Sequence, residues 1–569
     1  MRAVAAVQNN HDHAERWSGS KLDEQWHIGV VGFSMLGSVR LRDFAQNLND
    51  VVRSSIIGAT QDTYNTAPVP SLSDFRWPPN PQLRGLTPIQ VYDKVVEALT
   101  AKGFAVILNN HTNKSRWCCG VADGNEMWNE SQTEEAWIND WVTIVRRYRA
   151  NPRVVGADLY NEVRRNILTD PSWGSGSRDW YKASQAAGDR ILTDANPDVL
   201  IIVEGINWTG LPVDGFPHDR PTLAPAARQS HALVKPNKLV YSAHFYAYTG
   251  PNHSGATGIG ETTDPRYRDL SLTDLHSVIR RQATYVALDA DKHYTAPIWL
   301  SEFGVGRGSG GLDFQWFDRF VNYIVDNDLD FSYWPLTGLT DNGNGNNWAI
   351  HKWDRSRNDF LPHSDDNRWA LWQRLTNNTK ELKGKVDRRA KWTMLNMDGG
   401  SFVQSLSVKS RGDWDSGANK AVCPDGQRLI GMSNASSARG LCTDSGLFDA
   451  SLSPATVGVW GQNHVSSDWA GGFTKLECPA DHYVIGYSNK GATINGALCA
   501  MLPNGQRINT GTGRTLWFDR SDALSQSPGE FALSQYKGSC NGNEMLTGIA
   551  FRRSLNIGPA AAIFCRNLA

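Results

Sequence analysis

Two glutamates end apolar runs: Glu162 in GADLYNEVRR (156–165) and Glu302 in PIWLSEFG (297–304). A buried strand does not finish on an amide, a carboxylate and two arginines unless that end has work to do. Two facing carboxyls can cleave a glycosidic bond. One protonates the leaving oxygen; the second acts from the opposite side of the ring. At a separation of ~5 Å the second attacks the anomeric carbon and configuration is retained. The neighbouring residues then take roles. Asn161 could bond the sugar 2-hydroxyl. Tyr246 and Arg40 could hold Glu302 ionised, because donors and a cation favour the charged form. His244 could tune or orient Glu162. Two salt-bridged glutamates at helix starts would have the same spacing, so these residues alone leave both readings open.

The elements that must carry them alternate along the first 380 residues. Short β-like runs are RAVAAVQ (2–8), GSVRLRDF (37–44), VILNN ending at Asn110, VVGADLY ending before Asn161, VLIIVEG (199–205), LVYSAHFY (239–246), PIWLSEFG and FSYWPLTG (331–338). Between them lie stretches with apolar spacings of three and four, such as 87–103, 137–151 and 316–328, which predict helices. About eight strands alternating with helices imply a parallel sheet, and a closed (β/α)8 barrel fits best. Its chemistry belongs at the carboxyl ends of the strands. Arg40, His111, Asn161, Glu162, His244, Tyr246, Glu302 and Trp334 all fall at such ends. Left unpaired inside a core, these groups would cost several kcal/mol together.

The order of these motifs resembles glycoside hydrolase family 5. Arg40 lies in SVRL, His111 in LNNH, Asn161-Glu162 in LYNE, His244 and Tyr246 in HFY, Glu302 in SEFG, and Trp334 in SYWPL. RWCCG with DGNEMW, NPDVLIIVEGINW and NKLVYSAHFY are similar to a plant and fungal branch of its cellulase-like members. The resemblance spans roughly residues 1–380. It implies a (β/α)8 barrel, Glu162 as acid/base, Glu302 as nucleophile, no cofactor and no catalytic metal. The remaining six residues of the set would bind substrate. The stretch before Arg40, WHIGVVGFSMLGSVRL, departs from the family pattern, so an altered first βα unit is expected. Motifs that run the chemistry do not choose the sugar. A cellulase-like branch points to β-glucans or β-glucosides. The alternative is a carbohydrate-binding protein on the same scaffold that does not catalyse.

Other signals are weaker. Trp334 is expected to floor the cleaved subsite; Trp117, Trp208 and Trp348 could extend a stacking platform or simply pack. Cys118-Cys119 is an adjacent pair that could close a vicinal disulfide, which the family-like RWCCG context favours; no second ligand pair has zinc spacing. Gly306, Gly308 and Gly311 spell GxGxxG, but after a late strand and without an opening βαβ unit. DNGNGNN (341–347) resembles a calcium loop but has Lys352 where the loop needs Glu.

The polar run 378–394 reads as a linker, giving a catalytic barrel over 1–380, a linker over 381–394 and a third segment over 395–569. That segment repeats three times: 423–442, 478–499 and 540–565. Each copy opens with Cys, passes a turn, shows an apolar run ending in Gly431, Gly486 or Gly548, and closes with Cys. Trp414 and Trp469 precede the first two copies by nine residues. The expected fold is all-β, three-repeat and β-trefoil-like, with Cys423–Cys442, Cys478–Cys499 and Cys540–Cys565 paired. Six cysteines allow 15 connectivities, and the repeat selects this one. Sugar binding and purely structural roles are equally open for it.

The bulk composition agrees. The 569 residues suffice for about two to four domains. A net charge of -1 offers no basic surface for a nucleic-acid backbone. No window reaches about 18 uninterrupted apolar residues, so no membrane span is expected. Paired cysteines favour an oxidising compartment, and N-x-S/T triplets occur at Asn113, Asn129, Asn207, Asn252, Asn377 and Asn434. Secretion, glycosylation and a monomer are therefore expected. MRAVAAVQNN has too short an apolar run for a signal peptide, so the start of a secreted precursor is expected to lie outside this sequence.

Overall fold

The computed structural model describes residues 4–7, 27–34, 88–101, 104–113, 124–210, 218–235, 237–247, 267–290, 292–339, 349–354, 359–376, 392–395, 414–423, 427–434, 439–444, 455–458, 468–491, 493–502, 505–519, 531–532, 534–551 and 560–569. Eight strands close a ring: β1 Val4–Val7, β2 His27–Ser34, β3 Ala105–Thr112, β4 Val154–Asp158, β5 Leu200–Glu204, β6 Leu239–His244, β7 Ile298–Glu302 and β8 Asp330–Leu339. Strands β3 to β8 pair in that order, all parallel, and β1 closes the ring by pairing parallel to β8. This is the (β/α)8 class, with one reversal. Strand β2 runs antiparallel to both β1 and β3.

That reversal is the altered first unit. A strand was expected at 37–44, which lies outside the described residues. Among the described residues the ring uses HIGVVGFS, whose β-branched and aromatic residues suit a strand.

The outer layer follows helical periodicity. Helix α1 is Pro88–Ala101, α2 Glu134–Arg147, α3 Trp180–Arg190, α4 Leu272–Ile279, α5 Gly311–Asp326 and α6 Trp369–Thr376. Helix α2 shows why such a segment stops and starts where it does. Thr133 caps it by accepting the Ala136 N–H at 3.2 Å. Glu134 and Glu135 lie in its first turn and Arg146 and Arg147 in its last, which complements the helix dipole. Trp137, Ile138, Trp141, Val142, Ile144 and Val145 form the buried stripe against the strands. Inside the ring, Ile107, Ile202 and Trp299 cluster, with Val155, Val240 and Trp334 packed against them. Six neighbouring strands thus supply one residue each. The interior is a plug, and polar strand ends stand on it.

After helix α6 the described residues hold twelve strands: β9 Trp392–Leu395, β10 Asn419–Val422, β11 Gln427–Ser433, β12 Gly440–Asp444, β13 Ala455–Gly458, β14 Thr474–Glu477, β15 His482–Lys490, β16 Thr493–Met501, β17 Arg514–Trp517, β18 Lys537–Ser539, β19 Glu544–Phe551 and β20 Ala562–Asn567. The threefold, all-β organisation takes the form of three four-stranded antiparallel sheets. Their orders are β9-β12-β11-β18, β10-β15-β16-β13 and β14-β19-β20-β17. Each repeat lends its leading strand to the next repeat's hairpin, and the third lends to the first. The central strands carry bulges between Leu429 and Gly431, Val484 and Gly486, and Leu546 and Gly548. Glycine is required there: a Cβ on Gly486 would stand 2.8 Å from the Ala421 carbonyl of the lent strand.

Disulfides join Cys423–Cys442, Cys478–Cys499 and Cys540–Cys565, and all six cysteines lie in one apolar core. Among the described residues, no helix is long and apolar enough to cross a membrane.

Candidate active site

At the end of β4 the chain turns sharply. Asn161 donates its N–H to the Asn110 carbonyl at 3.1 Å. Glu162 then adopts φ 48°, left-handed for a residue with a side chain. Such a backbone costs about 1 kcal/mol or more unless its surroundings enforce it. Two partners do so. The Glu162 N–H donates to Glu204 Oε2 at 2.8 Å, and its carbonyl lies 3.3 Å from Arg164 Nη1. Arg164 has no exposed surface and also donates to the Asn125 carbonyl at 2.9 Å. Arg165 is only partly exposed and pairs with the exposed Asp170 at 2.9 Å. The two arginines that follow the glutamate therefore do different jobs. One braces its backbone; the other pairs on the surface.

Glu162, His244, Tyr246 and Glu302 are all buried and come together. His244 Nδ1 lies 3.0 Å from Glu162 Oε1, 3.5 Å from Glu204 Oε1 and 3.5 Å from Glu302 Oε2. Tyr246 donates its hydroxyl to Glu302 Oε2 at 3.0 Å. One carboxyl oxygen of Glu162, one of Glu302 and a ring nitrogen of His244 all lie within 4.8 Å of one another. His111 stacks on Trp334 with ring centroids 5.2 Å apart and planes 10° from parallel. Trp334 is half-buried, and its N–H donates to the Phe303 carbonyl at 2.9 Å, which ties β8 to the residue after Glu302.

The electrostatics follow from burial. Loss of water, then the Glu162 charge, pushes Glu302 well above the usual carboxylate range; the Tyr246 hydroxyl opposes this. Burial also pushes Glu204 well up, with the Glu162 and Asp158 charges adding to it. Asp158 is raised to about 7 by burial, against its hydrogen bond from Asn109 at 2.9 Å. Burial pulls His244 down, and its contact with Glu162 pulls it back up. Acids this close cannot all ionise, so they titrate as a coupled set. Protons held by the set are available for transfer. The hydroxyl of Tyr246 favours placing the negative charge on Glu302.

Glu204 is the site residue that sequence reasoning missed. Its signal was present: VLIIVEG is a third apolar run ending in a carboxylate, the same pattern as LYNE and WLSE. Trp208 is only 2% exposed and packs rather than offering a sugar platform. Trp469 stacks on Phe564 at 4.8 Å, and Trp414 packs on an apolar cluster. Asn113 and Asn207 are buried, and Asn113 donates to the Trp128 carbonyl at 2.9 Å; neither can take a glycan in the folded chain. Arg40, Trp117, Cys118, Cys119, Trp348, Asn252, Asn377 and the 341–347 loop lie outside the described residues.

A ring of strands, parallel except for β2, with buried carboxyls brought together at its strand ends defines a class of carboxylate-dependent barrel. The chain belongs to the cellulase family, glycosyl hydrolase family 5, whose model matches residues 51–339. The match begins after Arg40. An endoglucanase of Paenibacillus polymyxa is 33% identical over 301 residues, covering 50% of this chain and 66% of that protein. A glycosyl hydrolase 5 family protein of Chamaecyparis obtusa is 27% identical, covering 50% and 48%. The major extracellular endoglucanase of Xanthomonas campestris pv. campestris is 28% identical, covering 58% and 65%. The chain thus spans between about half and two thirds of the length of these relatives.

Proposed function

We propose that this chain is a secreted, retaining β-glycosidase acting on β-glucans or β-glucosides. The observation that carries this is the approach of the Glu162 and Glu302 carboxyls to within 4.8 Å, close to the ~5 Å of retaining enzymes. Glu302 attacks the anomeric carbon as the bond to the leaving oxygen breaks, and Glu162 gives that oxygen its proton. Glu162 then takes a proton from water, whose oxygen displaces Glu302. The chemistry uses carboxyls only. The other substrate contacts would come from Arg40, His111, Asn161, His244, Tyr246 and Trp334. Two relatives are endoglucanases, which supports a β-glucan substrate, and one of them is extracellular. The barrel would span 1–380; of the expected linker 381–394, Trp392–Met394 belong to β9, which pairs with β12, so the three-repeat unit would take in 392–569, and the chain would work as a monomer.

The test compares wild type, Glu302→Ala and Glu162→Ala on a panel of aryl β-glycosides and β-glucans. Glu302→Ala should be inactive, and added azide should restore turnover with inverted product. The best substrate of the wild type then names the sugar. A correctly folded wild type that binds a glycan and hydrolyses nothing would replace this reading with a carbohydrate-binding protein.

A further inference from the structure

Three glutamates converge on His244, and double displacement uses two. We propose that Glu204 is a positioning residue: by accepting the Glu162 N–H it holds the acid/base in its left-handed backbone conformation and so aims its carboxyl. This rests on the assignment of Glu162 as acid/base. The contact is direct, 2.8 Å from the Glu162 nitrogen to Glu204 Oε2, and Glu162 carries φ 48°. Both side chains are buried, so bulk solvent does not readily replace the bond. Glu204 ends β5, the strand paired with β4. The strand-end geometry of one element thereby sets the turn of its neighbour. The Trp180 indole donates to the Glu204 carbonyl at 2.7 Å, and the Gly205 N–H donates to the Ser242 carbonyl at 3.1 Å. Glu204 is therefore itself fixed on both sides.

Only an acceptor oxygen is required of it. Glutamine supplies one at the same reach, while alanine does not. Burial disfavours charge on Glu204, so the neutral amide of glutamine suits the same surroundings. Displacing the Glu162 carboxyl by about an ångström would slow proton delivery by about a hundredfold, and only where a proton is needed. A dinitrophenolate leaves without one; a simple phenolate does not.

The experiment measures kcat/KM, which reports attack by Glu302, on dinitrophenyl and phenyl β-glycosides. It uses the full chain carrying Glu204→Ala, Glu204→Gln or Glu162→Ala. Glu204→Ala should lose about a hundredfold on the phenyl substrate and keep its kcat/KM on the dinitrophenyl one. There kcat and KM should fall together, because the water step also needs Glu162. Glu204→Gln should behave as wild type on both. Equal losses on both substrates for Glu204→Ala would mark a merely structural residue and overturn the proposal. So would a phenyl-selective loss in Glu204→Gln, a readout that stands even if the alanine variant does not fold. If Glu162→Ala shows no split between the substrates, the acid/base assignment itself fails. If it shows the split and Glu204→Ala does not, only the role of Glu204 falls.

Discussion

At the scale of single residues, Tyr246 opposes the burial and the Glu162 charge that raise Glu302. Its hydroxyl donates to Glu302 Oε2 at 3.0 Å and works against burial. As the proposed nucleophile, Glu302 must be ionised to attack, so on that proposal activity is lost as pH falls through its pKa. Tyr246→Phe removes a donor and raises that pKa, which moves the acid limb of the kcat/KM profile to higher pH. A hydrogen bond to a charged group contributes roughly 1.5–3 kcal/mol, so the shift should be about one to two units. A pH profile of the variant checks this; an unmoved acid limb would mean that Tyr246 does not set the ionisation of Glu302. Sequence patterns placed Glu162, His244, Tyr246 and Glu302 at strand ends because period and polarity mark such ends plainly. Glu204 ends VLIIVEG in the same pattern, but its role escaped because the partner it positions is a backbone N–H. No side-chain pattern announces a donor that every residue carries.

At the scale of elements, the turn after β5 shows how tightly one strand end is built. Gly205 follows Glu204, and a Cβ there would stand 2.3 Å from the Thr222 carbonyl carbon. The obstacle is backbone, held by mutual Ile206–Thr222 hydrogen bonds of 3.0 and 2.8 Å. Gly205→Ala should destabilise the fold by about 3 kcal/mol and lower activity with it, read by denaturant unfolding alongside kcat. Thr133→Ala, at an exposed helix start, should cost about 1 kcal/mol and leave kcat untouched. Helices such as α2 were legible from spacing, caps and end charges. The reversed β2 was not. HIGVVGFS says strand, but direction is chosen by what the strand must pair with, and both its neighbours lie elsewhere in the chain.

At the scale of the whole molecule, the cysteine repeat foretold three disulfides but not where they would act. Cys423 hydrogen-bonds into the sheet of β15, while Cys442 lies in β12 of another sheet. Cys478 and Cys540 likewise join the sheet of the lent strand to that of the hairpin. The three bonds therefore run between sheets. In the third repeat Phe531 stands nine residues before Cys540, where the others have Trp414 and Trp469, and Lys420, Lys475 and Lys537 all precede a Cys by three. This longer register was readable and marks the lent strands. Each disulfide is worth about 2–4 kcal/mol. Reduction should lower the melting of the β-rich unit while barrel hydrolysis persists at temperatures below the barrel's own transition. Simultaneous loss of both would refute a separate unit over 392–569. The lending of strands also has a consequence for the order of synthesis. Arg428 in the first hairpin donates to the Glu544 carbonyl, 116 residues later, and β11 pairs with β18 from the last repeat. As the chain leaves the ribosome, that first hairpin waits with a bare edge until Lys537–Ser539 emerges. An unpaired edge invites another chain, so nascent copies are most exposed to one another in the interval before the final strand closes the circle.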